Sequence, residues 1–262
     1  MISILYIGDI FGKPGRRTVR EVLPDLKNEY SPDLVIANGE NLAGGLGMTP
    51  ETAQEIFTYG VDVLTSGNHL WDKKEIIEFM NNEKRILKPI NYPPQVPGND
   101  VYTIIINGKK IIILCVMGRV FTVTVDCPFR TMDTYIDKFK SEDAIIFVDF
   151  HAEATAEKQA LAWYLDGKIS ALIGSHTHVQ TADERVLPDG TAYITDAGMT
   201  GSHDSVIGLR KNDAIERFLT QIPNRFNPAK KNLILNGVIV TIDENSSSQS
   251  ICRISKQYTQ KI

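Results

Sequence analysis

The chain has little cysteine, and what it has is scattered. Cys115, Cys127 and Cys252 are odd in number, and no two stand in a C-x-x-C spacing. That argues against a disulfide framework or a zinc ribbon and fits a reducing cytoplasm. Long apolar runs are also missing. No segment reaches the roughly 18 consecutive apolar residues of a membrane span, and the run Ile2–Ile7 stops at Gly8-Asp9 with no basic stretch before it. The expected location is the cytoplasm, away from membranes. A basic excess is lacking as well: 28 Lys and Arg face 32 Asp and Glu, for a net charge of −4. Duplex nucleic acid, whose binders usually carry a basic domain, is therefore not an expected partner. No internal repeat is found, and the only low-complexity tract is 246–248.

What is present is enough apolar content, 42% of 262 residues, to bury a full core. A single domain over 1–262 is expected. The first half alternates short apolar runs with amphipathic segments, the grammar of an α/β fold, and predicts helices over 15–28, 50–59 and 73–81. Thr49 before Pro50 reads as an N-cap followed by proline at the first helical position, and Asp72 with Glu75 three residues on reads as a second cap. Then the style changes. Asn107-Gly108 between 101–106 and 109–116 predicts a two-residue β-hairpin, because both turn positions accept positive φ. NLILNGVIVTI and SICRISK, separated by the polar 243–249, repeat the antiparallel pattern. The expected architecture is α/β, two packed sheets flanked by helices, with loop or cap excursions over 118–134 and 198–210 and a Pro-rich one over 88–99.

All five histidines fall at or shortly after the end of a strand-like apolar run. The polar strings Gly8-Asp9, Asn38-Gly39-Glu40-Asn41, Gly67-Asn68-His69, Asp149-Phe150-His151 and Gly174-Ser175-His176-Thr177-His178 follow ISILYI, DLVIA, VDVLTS, AIIFVDF and SALIG. If those runs are strands of one sheet, their ends lie side by side and the polar residues converge on one edge. The resulting inventory is two carboxylates (Asp9, Glu40), two amides (Asn41, Asn68) and three imidazoles (His151, His176, His178), with no thiolate. Such a nitrogen and oxygen set suits divalent Mn, Fe or Zn. Two divalent ions, less two carboxylates and one bridging hydroxide, leave about one positive charge to attract a phosphodiester anion. A carboxylate touching both ions is required, and Glu40 is the candidate. His69, beside Asn68, is left free to act as a general acid, a role that suits a group titrating near neutrality.

In order, these strings resemble the calcineurin-like metallophosphoesterases. The chain is most similar to their YmdB-like bacterial branch, through GDIFGKPGR, NGEN, GNHLWDKKEI, DFHAEATAEK, GSHTHVQTAD and TAYITDAGMTG. The resemblance spans nearly the whole chain and implies a four-layer αββα sandwich with two metal ions, iron or manganese before zinc. It also implies that Asp9, Glu40, Asn41 and His178 hold one ion, that Glu40, Asn68, His151 and His176 hold the other, and that His69 donates a proton. The implied activity is hydrolysis of 2′,3′- or 3′,5′-cyclic nucleotides. Two departures from the wider superfamily stand out: Phe11 occupies the place of a usual histidine ligand, a vacancy Asn41 would fill, and Glu40 replaces the usual bridging aspartate.

Singly, each string has a plain structural reading. Gly8-Asp9 suits an Asx-capped turn, Asn41 a brace for the loop 44–47, and His151 a satisfied buried histidine. Their joint occurrence favours the metal site. Gly8 to Pro14 is one residue short of a P-loop, and His151-Ala152-Glu153 lacks the downstream cysteines of a zinc deaminase. Arg119 beside Phe121 reads equally as a phosphate contact and as solvated loop; His203 and the pair Lys73-Lys74 read as surface residues. A phosphomonoesterase or nuclease using the same centre, and a nucleotide-binding regulator without turnover, remain open alternatives. A homo-oligomer would be compatible with the hairpins.

Overall fold

The computed structural model describes residues 1–139, 142–223 and 227–259; the last three positions of the expected domain 1–262 lie outside the described residues. Along the chain run β1 (Ile2–Ile7), β2 (Asp9–Ile10), α1 (Gly12–Tyr30), β3 (Leu34–Asn38), α2 (Pro50–Thr58), β4 (Val63–Thr65), α3 (Glu75–Asn82), β5 (Val101–Ile106), β6 (Lys109–Met117) and α4 (Pro128–Phe139). There follow β7 (Ala144–His151), α5 (Thr155–Leu165), β8 (Ala171–Ser175), β9 (Arg185–Val186), β10 (Ala192–Ile194), β11 (Met199–Ser202), α6 (Lys211–Thr220), β12 (Leu233–Ile242) and β13 (Ser248–Gln257). One sheet has the order β2-β11-β12-β1-β3-β4, with β13 also paired to β12; the other has the order β5-β6-β7-β8-β10-β9. No described helix is long and apolar enough to cross a membrane.

Strand alternation builds the layers. Ile2, Ile4 and Tyr6 of β1 face the other sheet, where they meet Ile145 and Phe147 of β7 and Ile111, Ile113 and Cys115 of β6. Leu5 and Ile7, one residue out of phase, pack under Val19, Val22 and Leu23 of α1 and Ile56 of α2. Ile112, Leu114 and Val148 turn the opposite way, toward Met132 of α4 and Leu161 of α5. A period of two in strands and helices on both outer faces yields the αββα sandwich expected from the sequence.

The single-sheet picture of the strand ends is corrected. β1, β3 and β4 belong to one sheet and β7 and β8 to the other, so the polar strings meet across the seam between two sheets. Apolar runs of similar length carry no mark of which sheet they join. The Asn107-Gly108 turn forms as expected, with φ of 51° and 79°, and β12 pairs antiparallel with β13. Thr49 caps α2, sharing reciprocal bonds with Thr52. Helix α1 begins three residues earlier than expected, placing Pro14 in its first turn where a missing N–H costs nothing. The Asp72 cap is not found: α3 starts at Glu75, with Lys74 at the cap position and no side-chain bond. The excursion 118–134 runs into α4, and 198–210 contains β11.

One carboxylate closes the space between the sheets. Asp149 of β7 is fully buried, and it accepts from Tyr6 Oη of β1 (2.7 Å), Asn38 Nδ2 of β3 (3.1 Å) and Thr65 Oγ1 of β4. Ser175 Oγ of β8 donates to its other oxygen at 2.6 Å. Four strands thus share one acceptor. Burial and the adjacent Asp149 charge raise the Tyr6 phenol well above its usual pKa, so Tyr6 remains a donor. Tyr6→Phe removes one charge-assisted bond without creating a large void. It is expected to lower stability by about 1.5–3 kcal/mol, read as a shift in the urea midpoint at unchanged m-value; an unchanged midpoint would refute a structural role for that bond.

Candidate metal centre

Directly beyond this polar layer the strand ends deliver the residues singled out in the sequence. Glu40 Oε1 lies 3.1 Å from His151 Nε2, and His176 Nδ1 lies 3.0 Å from the same nitrogen. Glu40, His151 and His176 form a group able to hold a metal ion. On the other side of Glu40, Asn41 sets its amide 3.2 Å from Glu40 Oε1 and 3.2 Å from His178 Nε2, and His178 Nε2 lies 3.8 Å from Asp9 Oδ1. Turning that amide over presents its oxygen to the same space. Asp9 Oδ2 accepts from the His176 backbone N–H at 3.2 Å. Six of the seven expected ligands, Asp9, Glu40, Asn41, His151, His176 and His178, stand in contact here with the His69 backbone, and Asn68 precedes His69 in the chain.

Two oxygens test whether cations belong here. Asp9 Oδ1 and Asn68 Oδ1 are buried and accept no hydrogen bond from any described group. An orphaned buried acceptor costs about 1–3 kcal/mol; Asp9 Oδ1 stands 3.8 Å from His178 Nε2, and Asn68 directly precedes His69, whose backbone N–H reaches Glu40 Oε2. This donor set fits divalent ions.

Electrostatics tell the same story. Burial raises the Asp9 carboxyl to about 6. Burial also works against the charged forms of Glu40 and His151, but their mutual attraction and hydrogen bond win, leaving Glu40 at about 2 and His151 at about 9. His176 is pushed down to about 3, first by burial and then by the adjacent His151 charge. In the metal-free chain, one proton on His151 Nε2 therefore binds Glu40 and His176, the same two groups a cation there would bind.

The second layer fixes how each ring faces. Ser175 donates its only hydroxyl proton to Asp149, so its oxygen is available to accept from His151 Nδ1–H at 2.9 Å, leaving Nε2 for the site. His178 Nδ1 likewise lies 3.0 Å from the Ile207 carbonyl. His176 and His178 have φ of 99° and 65°, costly for residues with a Cβ. The turn is held by Asp196, which accepts from the Thr177 backbone N–H (3.0 Å) and hydroxyl (2.8 Å). The fully buried Lys158 clamps it, donating to Asp196 Oδ2 at 2.8 Å and to the Ser175 carbonyl at 2.7 Å. Gly67 and Gly174 have no room for a side chain: a Cβ would stand 2.2 Å from the His151 ring in the first case and 1.8 Å from the Thr195 carbonyl in the second.

His69 stands at the mouth. Its backbone N–H reaches Glu40 Oε2 at 3.1 Å, and its Nδ1 pairs with Asp72 Oδ2 at 2.7 Å. Asp72, read from the sequence as a helix cap, instead orients this imidazole; His-x-x-Asp in a tight turn was the available signal. Glu153 Oε2 lies 3.2 Å from His176 Nε2. Phe11 acts as a wedge, its ring edge-on to His178 with centroids 5.6 Å apart. The cavity above is about 450 Å³, with Phe11, Leu46, Ile207 and Leu209 as its apolar wall. Arg119 and His203 do not line it. His203 is 3.2 Å from the Met199 carbonyl, and the Arg119 backbone N–H donates to Glu157. A larger cavity of about 730 Å³ opens at the opposite ends of β7 and β8, by Ala144 and Ser170, and carries none of the converging ligands.

Comparison with known proteins agrees with this geometry. The family model described as "YmdB-like protein" matches residues 5–254. A Bacillus subtilis protein named 2′,3′-cyclic-nucleotide 2′-phosphodiesterase is 46% identical over 245 residues, covering 94% of this chain and 93% of that one. A crystal structure of a hypothetical protein from Thermus thermophilus superposes with a TM-score of 0.92 at 39% identity, covering 98% of this chain and 100% of that one. A 5′-nucleotidase precursor from the same organism shares the fold at a TM-score of 0.59 and 11% identity, covering 98% of this chain and 54% of that one. By the extent of the family match and the identity to its relative, the chain belongs to the YmdB-like family.

Proposed function

We propose that the chain is a dinuclear metal-dependent phosphodiesterase that opens nucleoside 2′,3′-cyclic phosphates. The observation that carries this reading is the group of Glu40, His151 and His176, with Asp9 beside it presenting an orphaned buried oxygen; the buried Asn68 oxygen is orphaned as well. Asp9, Asn41 and His178 would hold one divalent ion, Asn68, His151 and His176 the other, and Glu40 both; iron or manganese is the preferred identity. Such ions acidify water between them and offset charge on phosphoryl oxygens. The chain does the rest. Ser175 and the Ile207 carbonyl hold His151 and His178 with Nε2 inward, and the apolar wall offers the nucleoside a dry face. Asp72 holds the His69 Nδ1–H, leaving Nε2 to give a proton to the departing ribose oxygen. Ligands drawn from both sheets support one functional domain, with the excursion 198–210 supplying Ile207 and Leu209 to the cavity. The cyclic isomer follows the name of the Bacillus relative.

His69→Ala is expected to keep its metal content and lose about 10²–10⁴-fold in kcat on a cyclic nucleotide, while hydrolysis of a p-nitrophenyl phosphodiester, whose leaving group needs little acid, stays within a few-fold. Equal losses on both would remove His69 from the proton-donor role.

Metal uptake should also be linked to pH. A ligand imidazole must be neutral, and His151 holds its proton to about pH 9. Below that value each metal-loaded chain should release one proton from this residue, so apparent affinity should rise about tenfold per pH unit from 7 to 9 and level off above. Below pH 6, protonation of Asp9 should steepen the slope. Chelator competition across pH measures this, and a flat profile between 7 and 9 would show that His151 gives up no proton to the metal there.

A further inference from the structure

A second groove adjoins the metal cavity and is built from charge of one sign. It has a volume of about 380 Å³, and its lining includes Lys13, Arg16, Arg210 and Lys230 with no carboxylate among them. In a chain of net charge −4, four cations around one hollow make a local field opposite to that of the whole molecule. Arg16 is committed elsewhere: it pairs with Glu55 at 2.6 Å and donates to the Leu42 carbonyl at 2.5 Å. Asp213, just outside, accepts from Asn227 of the groove wall at 3.1 Å. Lys13, Arg210 and Lys230 are exposed, and none of them pairs with a described carboxylate.

The groove and the cavity share a wall. Gly44 lines both, and the Asn41 carbonyl accepts from Gly12 N–H at 2.8 Å and Gly45 N–H at 3.2 Å, tying the base of the groove to a residue of the metal centre. Gly44 has φ of 74° and nothing within 4 Å of where a Cβ would stand, so the partition carries no side chain. The first turn of α1 also borders the groove through Lys13 and Pro14, and it has neither an acidic residue nor a side-chain cap, so the positive end of a 19-residue helix adds to the field.

From this geometry we infer that the groove takes a second phosphate carried by the same substrate molecule, so that the preferred substrates are cyclic phosphates bearing a further phosphoryl group. The inference rests on the phosphodiesterase reading above. Two sources share this chemistry: a 5′-phosphate on the nucleoside itself, and the next phosphodiester of an oligonucleotide ending in a 2′,3′-cyclic phosphate. The reaction at the metal centre is unchanged; Lys13, Arg210 and Lys230 contribute binding energy remote from it.

The test compares the metal-loaded protein on a nucleoside 2′,3′-cyclic phosphate, its 5′-phosphorylated form, and a dinucleotide with the same cyclic end. An advantage of about tenfold or more in kcat/KM is expected for at least one doubly phosphorylated substrate, shrinking as salt is raised. Which one gains distinguishes the two sources. In the Lys13→Ala, Arg210→Ala, Lys230→Ala triple variant, whose folding is checked by its denaturation midpoint, the advantage should collapse toward onefold. Equal kcat/KM for all three substrates, or an advantage that survives the triple substitution, overturns the inference while leaving the phosphodiesterase reading standing. Absence of turnover on all three substrates overturns both.

Discussion

A single buried carboxylate organises the upper end of this sandwich. Asp149 is surrounded by donors from β1, β3, β4 and β8. A carboxyl group buried in that position is tolerated because donors are already aimed at both of its oxygens. The arrangement fixes the separation of the two sheets at the point where their strands end. Everything functional is built on that junction. Ser175 passes the direction of the Asp149 charge to His151, and Asn38, which also donates to Asp149, accepts from the Glu40 backbone N–H. The intersheet core is thus apolar for most of its length and ends in one acceptor-centred layer, with Glu40, His151 and His176 immediately above.

That stacking explains the electrostatic pattern of the centre. Glu40 and His151 sit fully enclosed, where unpaired charge is most costly. Their attraction resolves this in the metal-free chain by sharing a proton. The same low dielectric that makes the pair strong makes the unpartnered oxygens of Asp9 and Asn68 costly. A site with one proton too few to satisfy its acceptors is poised for cations, and the neutral His176 leaves a lone pair for them. Phe11 fits the same logic. An apolar ring there packs against Gly45 and Gly208, and Asn41, beyond the end of β3, turns its amide toward Glu40 and His178.

Much of this was legible in the sequence because metal chemistry demands particular residue types. The five polar strings could be read at the ends of apolar runs, and Asp9, Glu40, Asn41, His69, His151, His176 and His178 do meet. The hairpin at Asn107-Gly108 and the cap at Thr49 were legible for local reasons, since a turn or a first helical turn is decided by a few neighbours. Residues whose meaning is set by distant partners were not. Asp149 looks like an interruption in AIIFVDF until strand parity aligns it with Tyr6, Asn38, Thr65 and Ser175. Lys158 reads as an ordinary helix lysine, yet it is enclosed because α5 packs it over the turn after β8. Asp72 matched a capping pattern equally well, and only the backbone path decided that its partner was His69. The assignment of β7 and β8 to a second sheet was hidden for the same reason: strand periodicity is blind to pairing.

The clamp made by Lys158 and Asp196 also bears on how this centre can move. Two histidines with positive φ are held by a buried amine and a saturated carboxylate, so reshaping that turn would require breaking several enclosed bonds together. Such segments open only with the surrounding structure, at the slow and costly end of native fluctuations. Leu46 and Ile207, both about half exposed, belong to the opposite class. The floor of the cavity is therefore rigid on the timescale of turnover, and any gating of entry or product departure falls to the rim, where a side-chain rotation on the nanosecond scale suffices to change the opening.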